Sequence, residues 1–147
     1  MSEKKKEKSK ELELPMRDII QVVNQISQKE MQGKETLLDR NIPGFNLNIA
    51  LIIQACRDKG EVYNNRLRKE QEKRCERVDD KLQYHDNGSY KIDPAFQSEL
   101  AGVIEDMQKE KVKLGVDRID FDLKSDAAKQ LTPNELLTMM KFVIKEG

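Results

Sequence analysis

Several things are scarce in this chain. It has no tryptophan, one histidine, two cysteines and only 5% aromatic residues. Few aromatics and 37% charged residues suit long solvated helices over a thin core better than a bulky β-sandwich. There is no charge surplus, since 27 Lys and Arg balance 27 Asp and Glu. That argues against a protein organised around nucleic acid, which normally carries a basic excess. No apolar run approaches the roughly 18 residues needed to span a bilayer, and no apolar stretch follows the N-terminal lysines as a secretory signal would require. No Gly-rich phosphate loop, zinc-ligand spacing or serine-nucleophile motif is present. The expectation is a protein that is not an enzyme, holds no cofactor or metal and enters no membrane.

The cysteines, Cys56 and Cys75, fall on one expected helix. Nineteen steps would set them about 28 Å apart, against the roughly 7 Å limit for a disulfide. Both are expected as reduced thiols, Cys56 as small core filler. Cys75 lies among Lys73, Arg74 and Arg77 but has no neighbouring base, so it does not read as a nucleophile.

The 147 residues allow one domain with a modest core. Residues 1–10 alternate lysine and glutamate and read as a flexible charged tail, leaving 11–147 as the domain. Leu12, Leu14 and Met16 alternate with polar residues, giving a short strand that Pro15 places at a sheet edge. From Arg17 the period turns helical through Ile19, Ile20, Val23 and Ile26, with Gly33 as the stop. A helical turn at 35–39 is expected to bury Leu37 and Leu38. After Pro43-Gly44, Asn46 is a candidate N-cap. A helix from 47 to about 82 follows, roughly 54 Å long. Its 47–56 segment is apolar nearly all round and is expected to be enclosed, whereas 66–81 is heavily charged and must be solvated.

Asn87-Gly88 is a strong hairpin signal, because both residues accept positive φ in a type I′ turn. Pairing outward sets His85 opposite Tyr90 and Tyr84 opposite Lys91. Asp93 and Pro94 then open a helix with the stripe Phe96, Leu100, Val103, Ile104 and Met107. Packed against the preceding helix, it makes a long antiparallel helical hairpin over about residues 60–111, with a β turn at its tip. Beyond it, residues 112–116 and 119–123 alternate as two short strands, expected to join residues 11–16 in a three-stranded sheet. Thr132-Pro133-Asn134-Glu135 combines a capping box with proline at the first helical position. The apolar residues from Leu136 to Ile144 suggest a final helix sandwiched in the core or in an interface. The fold class is α+β, mostly α.

His85 beside Asp86 suggests a general base, but no nucleophile accompanies it. Turn packing or stacking on Tyr90 is the simpler reading. Asp86, Asn87, Ser89 and Asp93 fail the calcium-loop order, which needs glycine sixth and glutamate twelfth. Asp120 and Asp122 share one strand face, but the opposite face is Ile119, Phe121 and Leu123, so the carboxylates read as solvated. Met139 and Met140 read as core filler, with an adaptable docking surface as the alternative.

The element order, with Leu12 and Leu14, Asp86, Asn87, Gly88, Tyr90, Ile92 and Pro94, Val112 and Leu114, and the Leu131-Thr132-Pro133 to Glu135-Leu136 cap, resembles a family of small bacteriophage proteins of unknown function. The resemblance implies a phage origin, in host cytoplasm or virion, and supplies no catalytic residue. The expected function is a non-enzymatic virion, assembly or accessory component that contacts a protein partner or other copies of itself. Tyr84, His85, Tyr90, Met139 and Met140 are the candidate contact residues. One alternative is a small inhibitor of a host enzyme or defence system acting through Tyr84, His85 and Tyr90. The other is a weak nucleic-acid binder using Arg66, Arg68, Lys69, Lys73, Arg74 and Arg77, whose field is diluted by interleaved acids.

Overall fold

The computed structural model describes residues 11–143. The expected tail, residues 1–10, and Ile144 of the last apolar stripe lie outside the described residues. The architecture is α+β and mostly helical.

Strand β1 (Glu11–Pro15) runs straight into helix α1 (Met16–Met31), the Met16 N–H donating to the Glu110 carbonyl at 2.8 Å. α1 buries Met16, Ile19, Val22 and Ile26. It stops where expected, with Gly33 at φ +69° and the Lys34 N–H closing back on the Lys29 carbonyl at 2.8 Å. A 3₁₀ turn at Leu37–Asp39 follows, capped by Thr36. It buries Leu37 but leaves Leu38 exposed, against expectation. Asn46 does not cap the next helix; it begins it, and its Oδ1 accepts from the Ile42 N–H of the preceding turn at 2.8 Å.

Helix α2 covers Asn46–Lys73, about 42 Å. It buries Ile49, Ile52, Ile53, Cys56, Gly60 and Tyr63 along one face. The 47–56 segment is not enclosed: Leu47 is 72% exposed and Leu51 50%. The helix also ends nine residues before position 82. Residues Arg77–Val78 (β2) and Lys81–Leu82 (β3) pair antiparallel instead, around Asp79 and Asp80 at φ +53° and +64°. Two consecutive left-handed residues cannot continue an α-helix but suit a tight hairpin. Val78, which seemed to extend the helical stripe, is 59% exposed, so no burial held it in helical register.

The helical hairpin forms with shorter arms than expected. A 3₁₀ turn at Pro94–Phe96, capped by Asp93, leads into α3 (Gln97–Lys109). α3 runs antiparallel to the C-terminal half of α2. Gln108 donates to the Tyr63 hydroxyl, Arg66 meets Glu110 at 3.3 Å, and Arg74 meets Glu99 at 2.7 Å. Leu100 and Met107 are buried, whereas Phe96 is 42% exposed.

Strand β4 (Lys111–Asp117) pairs antiparallel with β1, setting Leu14 against Val112 and Pro15 against Lys111. The register shifts between Glu11 and Glu13 as β4 takes up extra residues, with Gly115 at φ +74°. The sheet has two strands and not three. Ile119 forms a parallel bridge with Val143, and its N–H donates to the Phe142 carbonyl at 3.0 Å. Arg118 holds this arrangement, its guanidinium donating to the carbonyls of Glu13, Lys141 and Val143. The alternation survives without a strand: Ile119 and Phe121 are buried, while Asp120 and Asp122 are exposed. The Asp122 carboxylate accepts from the Lys124 N–H at 2.9 Å.

Helix α4 (Pro133–Phe142) realises the expected capping box, Thr132 and Glu135 each accepting the other's backbone N–H. Only one face is covered. Met139 and Phe142 are fully buried, but Leu137 is 58% and Met140 51% exposed, so α4 is not sandwiched. It packs antiparallel on α1, with Lys141 on Asp18 and Thr138 on Gln25.

Glu135 is 1% exposed. Both its carboxylate oxygens accept from Arg40 Nε, at 3.1 and 3.2 Å, and Lys29 Nζ stands 3.6 Å away. One buried carboxylate thus ties α1, the 36–45 loop and the start of α4 together.

Candidate functional site

The tip of the helical hairpin is larger than a β turn. Past Lys73 the chain returns along itself, and three segments meet in a ring of backbone bonds. The Glu76 N–H donates to the Lys91 carbonyl (2.7 Å), Lys91 to Gln83 (3.0 Å), and Gln83 back to Glu76 (3.0 Å). Below the ring, Cys75 bridges Ile92, and the Asp93 N–H donates to the Arg74 carbonyl at 2.8 Å. Cys75 is buried, its thiol donating to the Gln83 carbonyl at 3.1 Å.

The stretches flanking Asn87-Gly88 do lie side by side, but one residue out of the expected register. Tyr84 pairs with Tyr90, and the His85 N–H donates to the Ser89 carbonyl at 2.7 Å. The turn is not type I′. Only Gly88 is left-handed, at φ +89°, and its N–H closes on the His85 carbonyl at 2.9 Å. A turn followed by a left-handed glycine adds one residue to the loop, which moves every downstream pair by one. Tyr84, and not His85, therefore faces Tyr90, with ring centroids 5.3 Å apart.

Two contacts fasten the tip to the helices. The Tyr90 hydroxyl donates to Glu72 Oε2 at 2.8 Å, which, with the adjacent negative charge, holds the phenol above its ordinary pKa. Arg74 joins Glu70 of α2 to Glu99 of α3 at 2.8 and 2.7 Å. The hydrogen bonds to Glu70 and Glu99 raise the arginine's pKa, and the bond from Arg74 lowers that of Glu70.

Between this tip and α3 lies a groove of about 570 Å³, within the range of ligand pockets. One wall is the chain from Tyr90 to Pro94. The other is an α3 stripe, Gln97, Leu100, Ala101 and Ile104, at spacings that keep one helical face. His85, Glu76 and Lys91 also contribute. The lining is mostly apolar with a few polar groups, which suits insertion of apolar side chains, with polar contacts to orient them.

Of the expected contact residues, Tyr84, His85 and Tyr90 come together at the tip, and His85 and Tyr90 line the groove. Met139 and Met140 do not join them. Met139 is core, and Met140 lies on the exposed side of α4. The basic set nominated for nucleic acid is largely engaged: Arg66 with Glu110, Lys73 and Arg74 with Glu70, Arg68 with Asn65. Sequence reasoning missed Ile92, Pro94, Gln97 and Ala101 as groove residues. The 97, 100, 101, 104 spacing was available, but the facing wall was hidden by reading residues 74–82 as helix.

Among the described residues, no group of three or more His, Cys, Asp or Glu side chains is placed to hold a metal ion, and no helix is long and apolar enough to cross a membrane. Comparison with known protein families, curated proteins and solved structures returns no match.

Proposed function

We propose that this chain is a non-enzymatic binding module of phage type, an assembly or accessory component that works through protein–protein contact. The tip groove carries the reading. It is open, largely apolar, and built on rigid elements, with Arg74 and Tyr90 anchoring its walls to both helices. Its occupant is a partner segment that inserts apolar side chains between Tyr90 and Ile104. The exposed pairs Leu47 with Leu51, on α2, and Leu137 with Met140, on α4, offer further apolar surface for self-association. Affinity capture from producing cells tests the reading. The full chain should retain a specific partner that an Ile104→Glu variant loses and a Leu137→Glu variant keeps. Identical capture by all three, or a stable monomer that retains nothing, overturns it.

The half-exposed Tyr84 beside the groove supports a second reading, inhibition of a host enzyme by the tip. Tyr84→Ala, at a residue outside the groove lining, separates the two, since groove-borne assembly survives that change and inhibition through Tyr84 does not.

A further inference from the structure

We propose that Asn87 is a site of spontaneous covalent modification, converting through a cyclic imide with Gly88 to aspartate and isoaspartate, and that the isoaspartate form loses the hairpin register at the mouth of the tip groove. The inference does not depend on what the groove binds.

The chemistry begins with the chain itself. Asn87 is the one asparagine followed by glycine. Glycine has no side chain to crowd its backbone nitrogen, so that nitrogen can reach the side-chain amide carbon of the residue before it. Hydroxide removes the Gly88 N–H proton, and the nitrogen attacks Asn87 Cγ. An N–Cγ bond forms and the Cγ–Nδ2 bond breaks, the amide nitrogen taking a proton from water to leave as ammonia and regenerating hydroxide. Water then opens the five-membered imide at either carbonyl. One opening restores the main chain as aspartate. The other carries the main chain through the side-chain carboxyl, as isoaspartate. No oxidant or reductant is involved.

The geometry bears on both reacting groups. Asn87 Oδ1 accepts two hydrogen bonds from Ser89, from its N–H at 3.0 Å and its hydroxyl at 2.7 Å. These donors sit on the oxygen where negative charge develops as the nitrogen attacks, so they polarise the amide and stabilise the tetrahedral intermediate. The nucleophile is restrained, because the Gly88 N–H is committed to the His85 carbonyl at 2.9 Å. That bond must open first. It closes an exposed loop, a location where local opening costs little. The reaction in the folded protein is therefore gated by loop opening and assisted by Ser89.

The product matters because of the register. Gly88 sets the pairing of His85 with Ser89 and of Tyr84 with Tyr90. Isoaspartate inserts an extra main-chain carbon immediately before that glycine. The His85–Ser89 bond cannot persist with the loop lengthened, and His85 contributes to the groove lining. The aspartate product keeps the main chain and hence the register.

The test incubates the folded full-length chain at neutral and mildly alkaline pH. Peptide mapping by mass spectrometry follows conversion, and isoaspartyl methyltransferase labelling identifies the isomer. Asn87 should convert ahead of every other asparagine and faster as pH rises, and Ser89→Ala should slow it in the folded protein but not in the denatured chain. In the separated isoaspartate form, the His85 amide should lose its hydrogen-exchange protection, while an Asn87→Asp variant retains it. The proposal is overturned if Asn87 stays intact in the folded protein while the denatured chain converts. It is equally overturned if Ser89→Ala leaves the folded rate unchanged or raises it, or if the isoaspartate form keeps the His85 amide protected.

Discussion

Glu135→Ala removes the one carboxylate that holds three elements together. The side chain is buried, accepts from Arg40 Nε with both oxygens, faces Lys29 and receives the Thr132 N–H at 3.0 Å. Deleting one partner of a buried ion pair costs about 3–5 kcal/mol, because the remaining charge is left without compensation. Arg40 and Lys29 keep 20% and 24% side-chain exposure and Arg40 also meets Glu35, so water and a second carboxylate compensate them and the cost drops below that range, to about 2 kcal/mol. Loss of half the capping box adds about 1 kcal/mol. The expected total is about 3 kcal/mol, with Glu135→Gln costing less because an amide oxygen still accepts from Thr132. Urea unfolding followed by far-UV circular dichroism reads this as a midpoint lowered by about 1.5 M, for a slope near 2 kcal/mol per M. A double-mutant cycle with Arg40→Ala should return a coupling of about 1–2 kcal/mol. A Glu135→Ala cost below about 1 kcal/mol, or additive single mutants, would refute the reasoning.

Gly60→Ala should stabilise the chain by about 0.5–1 kcal/mol through helix propensity. A Cβ there meets Val23 Cγ2 at 3.6 Å, an ordinary contact, so thermal unfolding should move up a few degrees. Asp79→Asn with Asp80→Gly suits the left-handed backbone at both positions and should slow hydrogen exchange in the β2–β3 hairpin, whereas Asp80→Val should speed it. Burial pushes the Cys56 thiol from 9.0 up to about 12. Its neutral form is favoured in the folded state, so its contribution to stability is whole below about pH 9 and erodes as pH rises toward 12, by up to ~4 kcal/mol at the limit. Alkylation of Cys56 at pH 8 should accordingly be negligible until the protein unfolds.

What could be read from the chain was local. Thr132 with Glu135, Gly33 after α1, and Asp93 with Pro94 act within a few residues, and each appears as expected. The period-2 pattern at 11–16 and 112–116 likewise marks two strands that do pair. The failures were long-range or lacked a burial signal. Residues 66–81 are charged helix formers, and Asp79-Asp80 carries no glycine to announce a turn, so the break after Lys73 left no trace in the hydrophobic period. The third strand was lost to Arg118, whose three carbonyl partners include two some 25 residues onward and one more than 100 residues back. Leu47 and Leu51 show that an all-round apolar segment states what a helix is able to bury, and not what the rest of the chain covers. At the tip, the Asn87-Gly88 corner was legible, but its loop type was not, and the loop type decides that Tyr84 meets Tyr90. The groove followed from that register and from Cys75 meeting Ile92, neither of which a linear pattern contains.

The central claim is that the groove between Tyr90 and Ile104 is a protein-contact surface. Replacing Ala101, an exposed groove residue, with a photo-crosslinking amino acid tests it in producing cells. A discrete protein adduct at that position, abolished by Ile104→Glu and absent when the crosslinker replaces exposed Asn24 on α1, is the result expected. No adduct at position 101, or the same adducts from both positions, would contradict it.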